Sequence, residues 1–149
     1  MQTITIEDPD QPEIHEMFDA AAALYAELYP DEPSSLSTVA DLSAPGTVFW
    51  VVRQDGAAIG CGALTSHGDW AEIKQMYVAA SSRGKNVGAL ILETIEDYAK
   101  AQGVAVLRLD TAHKQAAAVS LYRSRGYQPR GPFGDHSADE ISLFMEKRL

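Results

Sequence analysis

A single mixed α/β domain spanning residues 1–149, one sheet with helices on both faces, is the fold class that three observations predict. The length of 149 residues suits one compact unit that can bury about two thirds of its unfolded surface. Hydrophobic residues make up 46% and charged residues 22%, the balance of a globular chain rather than a disordered or fibrous one. The hydrophobic periodicities run strand, helix, short helix, three strands, helix, strand, helix, strand. A three-strand meander feeding a strand–helix–strand unit makes a mixed sheet.

Thr3 to Ile6 reads as a short strand with Ile4 and Ile6 on one face. Asp10, Pro12 and Glu13 mark a helix start, as a capping residue, an early proline and an acid three residues on. Ile14, Met17, Phe18, Ala21, Leu24, Tyr25 and Leu28 then recur at helical spacing until Pro30. Pro33, Ser34, Ser35, Pro45 and Gly46 make residues 31–46 a loop, with a short helix around Leu36 to Leu42. Val48, Trp50 and Val52 alternate into the turn Gln54-Asp55-Gly56, and Ala58 to Ser66 returns. Gly68-Asp69 turns into Trp70 to Val78, whose alternation puts Glu72, Lys74, Met76 and Val78 on one face and Ile73, Gln75 and Tyr77 on the other. Val87 to Gln102 is amphipathic, with Ile91, Leu92, Ile95, Tyr98 and Ala99 toward the core, a Glu96–Lys100 ion pair outside, and Gly103 as its stop. Val104 to Thr111 is a strand, Lys114 to Arg125 a helix ended by Gly126, and Ile141 to Lys147 a final strand.

Twelve Lys and Arg against twenty-one Asp and Glu give a formal charge of -9, which argues against nucleic acid as a partner and leans toward a cationic one. No apolar run reaches the ~20 residues of a membrane span, and MQTITIEDPD has no signal-peptide pattern. The expectation is therefore a cytoplasmic protein with no membrane partner. The one cysteine, Cys61, has no disulfide or zinc partner and reads as a small core residue. His15, His67, His113 and His136 lack ligand spacing and no Asp/Glu cluster completes a set, so no metal is expected.

The most informative stretch is Ser81-Ser82-Arg83-Gly84-Lys85-Asn86-Val87-Gly88-Ala89, between a strand and a long helix. Such a turn can aim several backbone N–H groups and the positive end of a helix at one anion, and a pyrophosphate meets that requirement. Gly84 and Gly88 permit close approach, Asn86 tolerates the left-handed backbone, and Arg83 and Lys85 add positive charge. An ordinary strand-to-helix turn with solvated basic residues accounts for the same residues equally well. Neither a GxGxxG fingerprint nor a Walker lysine is present.

This stretch resembles motif A of the GNAT superfamily of acyl-CoA-dependent N-acyltransferases: a Gln or Arg, a glycine three positions on and a Gly or Ala two further. Arg83 and Gly88 match, and Asn86 stands where the middle glycine is usual. Met76-Tyr77-Val78 resembles the strand that pairs its backbone with the pantetheine arm. Gln115-Ala116-Ala117-Ala118-Val119-Ser120-Leu121-Tyr122, continuing to Gly126-Tyr127, resembles a second family pattern, with Gln115 in place of Asn and Tyr122 at the tyrosine beside the thioester sulfur. The resemblance implies about six to seven strands and four helices, with the acyl-CoA cleft between the fourth and fifth strands.

It also implies acetyl-CoA as co-substrate, held by Met76, Tyr77, Val78, Arg83, Gly84, Lys85, Asn86, Val87, Gly88, Ala89, Gln115 and Tyr122. The acetyl group would pass directly to a primary amine of a small molecule or peptide. Tyr122, with a phenol of ordinary pKa about 10, would protonate the departing thiolate. The Val78 amide or a neighbour would stabilise the oxyanion. Glu72, eleven positions before Arg83, matches the family's general-base glutamate and shares its strand face with Met76 and Val78; a solvated residue paired with Lys74 is the competing reading. Tyr25, Tyr29 and the loop Pro132-Phe133-Gly134-Asp135-His136, which resembles a PPFG loop of bacterial members, are acceptor-side candidates or simply a hydrophobic lid. Homodimers are common in the family. A non-catalytic acyl-CoA sensor and a purely structural domain are the rival readings.

Overall fold

The computed structural model describes residues 1–32 and 37–149. One seven-stranded sheet in the order β1-β2-β3-β4-β5-β7-β6 forms its centre. The chain runs β1 (Gln2–Ile6), α1 (Pro12–Leu28), α2 (Val39–Leu42), β2 (Thr47–Gln54), β3 (Ala57–Ser66), β4 (Trp70–Val78), α3 (Val87–Ala101), β5 (Val106–Ala112), α4 (Ala116–Ser124), β6 (Gln128–Arg130) and β7 (Ser142–Arg148). All neighbours are antiparallel except β4 and β5, which α3 joins as a crossover. The short β6 has no alternating pattern in the sequence. The expected loop residues Pro33, Ser34 and Ser35, and Leu36, where the short second helix is expected to begin, lie outside the described residues.

The helices divide between the two faces. Ile91, Leu92, Ile95 and Ala99 of α3 and Tyr122 of α4 join Ile73, Leu107, Leu109 and Met145 in one fully buried cluster. On the other face, Ile14 and Met17 of α1 and Leu42 of α2 cover Phe49, Val51, Cys61 and Ala63. Burying Leu- and Ile-sized side chains gives about 1.5–3 kcal/mol each, so these two layers drive the fold.

Several local expectations are corrected. Asp10 does not cap α1: Gln11 occupies that position without a side-chain cap bond, and Asp10 pairs instead with His15 at 2.9 Å. Glu96 does not pair with Lys100. It is 9% exposed, accepts from the Tyr127 hydroxyl at 2.8 Å and receives the Lys147 ammonium at 3.1 Å, because the core stripe of α3 is wide enough to take it in. Lys114 and Gln115 precede α4 rather than opening it.

Both α3 and α4 end in the same way. Gly103 (φ +78) and Gly126 (φ +92) take the left-handed backbone. The Gly126 N–H bonds the Arg123 carbonyl at 3.1 Å and the Tyr127 N–H bonds the Tyr122 carbonyl at 3.0 Å. This two-bond closure satisfies the last carbonyls of the helix. It also brings the Tyr127 ring edge-on to Tyr122, centroids 5.8 Å apart.

Candidate active site

Strand β4 is irregular at its centre. Gln75 and Met76 together face Gly62, between the pairs Ala63–Lys74 and Cys61–Tyr77, and Gln75 takes φ +49. This is a β-bulge. The extra residue reverses the alternation, so Ala71 and Ile73 before it and Met76 and Val78 after it all belong to the α3 face. The expected common face of Glu72 with Met76 and Val78 is therefore wrong: Glu72 is turned to the α1 side. The bulge has a second effect. Pairing of β4 with β5 ends at Ile73–Leu109, and the remainder of β4 parts from its parallel neighbour.

Two cavities occupy the gap. The first, about 600 Å³, lies against the start of α3 and against α4. The second, about 530 Å³, lies toward α1 and the loop before β7. Met76, Tyr77, Gln115 and Tyr122 line both. The Tyr122 hydroxyl donates to the Met76 sulfur at 3.6 Å across the gap, so this contact separates the cavities.

The first cavity meets the requirements of an anion cradle. Asn86 precedes α3 with φ +62, as the sequence predicts for that position. The first intrahelical bond is Leu90 N–H to the Asn86 carbonyl, which leaves the Val87, Gly88 and Ala89 amides free of helical partners. A Cβ on Gly88 would sit 3.1 Å from Leu121, so the helix start approaches α4 closely. Arg83 folds back, its Nε donating to the Val78 carbonyl at 3.1 Å and its guanidinium lying over the Tyr77 ring. Of the twelve residues expected to hold the cofactor, eleven line this cavity; Lys85 does not. The Ala79 N–H bonds the Ile59 carbonyl at 2.9 Å, which makes Gly60–Val78 the alternate pair of the ladder. The Val78 N–H thus points away from β3, toward the gap.

Burial pushes the Tyr122 phenol well above its ordinary range, and the nearby Asp110 carboxylate pushes it further in the same direction. It stays protonated across any working pH and is a hydrogen-bond donor. Gln115 accepts from the Thr111 hydroxyl at 3.2 Å at the mouth of α4.

The second cavity is acidic. Glu72 is 5% exposed; one carboxylate oxygen is 2.9 Å from His136 Nε2 and the other 3.9 Å from His67 Nε2. The expected alternative partner, Lys74, is not bonded to it. Asp110, one residue past the last β4–β5 pair, lies 4.0 Å from the same His136 nitrogen, and burial raises its pKa above the usual carboxylate range. Glu72, Asp110 and His136 bring their ligand atoms within 4.8 Å of one another, so the fold assembles the mixed acid–histidine group that the sequence spacing does not reveal. Sequence reasoning missed Asp110; an acid near the carboxyl end of β5, beside the parallel β4–β5 pair, is the signal that could have found it. The bulge has a signal too: the polar pair Lys74-Gln75 breaks the alternation that runs from Ala71 to Val78.

The acceptor-side candidates divide. Tyr25 lines the second cavity, whereas Tyr29 uses its hydroxyl to accept from the Lys114 N–H at 3.0 Å. Phe133 is buried against Trp70 and Phe144, and so anchors the loop that carries His136. Cys61 is fully buried and its thiol is pushed up to about 12, as befits a core residue.

The model of the Acetyltransferase (GNAT) family matches residues 14–127. The chain is 39% identical over 149 residues to the "IAA acetyltransferase" of Azospirillum brasilense, an alignment that covers 99% of this chain and 97% of that one. It is 37% identical over 114 residues to the "Uncharacterized N-acetyltransferase YsnE" of Bacillus subtilis, covering 72% of this chain and 74% of that one. A Klebsiella pneumoniae structure assigned to the acyl-CoA N-acyltransferases superposes with a TM-score of 0.85 at 30% identity, covering 100% and 98% of the two chains. The PaiA N-acetyltransferase of Thermoplasma acidophilum, solved in complex with coenzyme A, shares the fold with a TM-score of 0.75 at 18% identity over 99% of both chains.

Proposed function

The chain belongs to the Acetyltransferase (GNAT) family and catalyses acetyl-CoA-dependent acetyl transfer, and from that premise we propose that it moves the acetyl group directly to a primary amine of a small molecule or peptide. The supporting observation is that the two cavities meet at Met76 and Tyr122 in the seam of the sheet. A donor and an acceptor held there need no covalent enzyme intermediate, since both reactants can share one seam.

In this reading the free amides at the start of α3, with Arg83 nearby, take the pyrophosphate. Val78 offers its N–H to the carbonyl oxygen where the tetrahedral oxyanion forms; one such donor contributes about 3–4 kcal/mol. Tyr122 gives its proton to the departing sulfur. Glu72 removes a proton from the incoming ammonium so that nitrogen can attack. The acidic wall of the second cavity, with Glu72, Asp110 and Asp135, suits a cationic acceptor. The whole chain acts as one N-acetyltransferase domain. The sensor reading is not favoured, because a relative aligned over nearly the whole length is itself named an acetyltransferase.

The test is CoA release, followed with a thiol reagent, from acetyl-CoA and a panel of mono-, di- and polyamines, amino acids and short peptides. Turnover with at least one primary amine is expected. Turnover confined to hydroxyl or carboxyl acceptors overturns the amine assignment. Glu72→Gln should lose most of kcat; if it keeps its activity while Asp110→Asn loses it, the base is Asp110.

A further inference from the structure

Acetylation of an ammonium releases one proton net. Nitrogen sheds two protons on its way to the amide, the CoA thiolate recovers one through Tyr122, and the other must reach water. The C–S bond breaks and the C–N bond forms with no other change in the balance. If Glu72 takes that second proton, it must surrender it before the next turnover, and Glu72 is only 5% exposed.

We propose that His136 is the exit for this proton, a relay between the Glu72 carboxylate and solvent. The inference rests on the assignment of Glu72 as base. Its ring nitrogen Nε2 is already 2.9 Å from Glu72, while its side chain is 33% exposed, so one residue touches both the enclosed carboxylate and the outside. The ring is held in that orientation by Phe133 at 4.9 Å and Phe144 at 5.6 Å, and Phe133 is itself held edge-on to Trp70. An imidazole is the side chain suited to the task, since it gains and loses a proton near neutrality and has two nitrogens to pass it between. The charged groups around the relay are Glu72 and Lys74 of β4, Asp110 of β5, His67 from the β3–β4 turn, Asp41 of α2, and Asp135 and Asp139 of the loop itself. Of these, His67 approaches Glu72 only to 3.9 Å and is stacked on Trp70, which leaves His136 as the carboxylate's hydrogen-bonded partner among the described residues. His136 acts through Glu72 and is a positioning and relay residue, not a substrate contact.

The test uses the full chain, saturating acetyl-CoA and the panel amine of highest turnover. In 2 mM of a bulky buffer, His136→Gln should lower kcat about tenfold with the acetyl-CoA KM within twofold. Raising imidazole to 100 mM should restore most of the lost kcat, because a diffusing imidazole replaces the missing ring, while wild type should not respond. His136→Asn should behave alike, and thermal stabilisation by CoA should be unchanged in both, which shows that the fold and the first cavity are intact. A kcat that stays at the wild-type value, or one that falls and ignores imidazole, overturns the relay; the second result makes His136 a loop anchor. Glu72→Gln separates the two assignments. If it is slow and unresponsive to imidazole, the base stands whatever His136 does; if it retains full turnover, the base assignment fails and the relay with it.

Discussion

Tyr122 shows how burial selects one chemical role from several. A phenol in water can be donor, acceptor or, once ionised, nucleophile, but shut between Met76 and Tyr127 it rests protonated, with a proton to donate and no phenolate to attack. Tyr122→Phe should therefore lower kcat by about 10²-fold, the usual contribution of a positioned acid. The acetyl-CoA KM should move no more than a few-fold, which initial-rate measurements would separate. Candidates of this kind could be named from the sequence because the patterns that single them out are local. Asn86 and Gly88 lie within one turn of the helix they start, and Tyr122 is fixed by Gly126 four positions on. Glu72 was legible as a residue but not in its setting. Its partner His136 is 64 positions away in the chain, and no local pattern encodes that meeting. Asp110 was missed for the same reason.

At the level of elements, the closure of α4 ties a structural glycine to the site. Ala at position 126 would have to adopt φ +92, at a cost of about 1–2 kcal/mol. Gly126→Ala should thus lower Tm by about 3–6 °C in a thermal melt. It should also reduce kcat beyond what the melt explains, because the same turn seats Tyr122. A second element-level device clamps β1 and α1 to β2. Arg53 donates to both Glu7 oxygens, at 3.0 and 2.9 Å, and to Glu13 at 2.8 Å. Hydrogen bonds from Arg53 hold the Glu7 carboxyl down to about 2, from an ordinary value of 4.5. A depressed folded-state pKa gives stability that is complete above pH 4.5 and is lost as pH falls toward about 2. Arg53→Met should be less stable by about 1–3 kcal/mol at pH 7. Denaturant titrations should show that deficit shrinking as pH falls from 4.5 toward 2. Six of the seven strands were read to within a few residues, since period-2 alternation is local; the three-residue β6, which is too short to alternate, was not. The bulge was not read, although the consecutive polar residues Lys74 and Gln75 break the apolar–polar alternation at the place where β4 takes the extra residue opposite Gly62.

For the whole molecule, the layers follow from the two buried clusters, one per sheet face, and among the described residues no helix is long and apolar enough to cross a membrane. A ligand that binds only this folded arrangement must raise its stability. Coenzyme A at a hundred times its Kd should add about 2.7 kcal/mol, a rise in Tm of about 5–11 °C by differential scanning fluorimetry. No shift at millimolar CoA would contradict the first cavity as its site. The layer order was predictable because each amphipathic pattern has only one face to bury; the passage through the layers was not, because it arises where two strands fail to pair.

That failure to pair makes the sheet a partition with a window. The first cavity faces one side of it and the acidic second cavity the other, and Met76 and Tyr122 form the sill between them. Two guests that arrive through different doors do not compete for a single entrance, and neither must depart before the other is admitted. Double-reciprocal rate lines for this enzyme should accordingly cross, where a shuttle that parked the acyl group on the protein would give parallel ones.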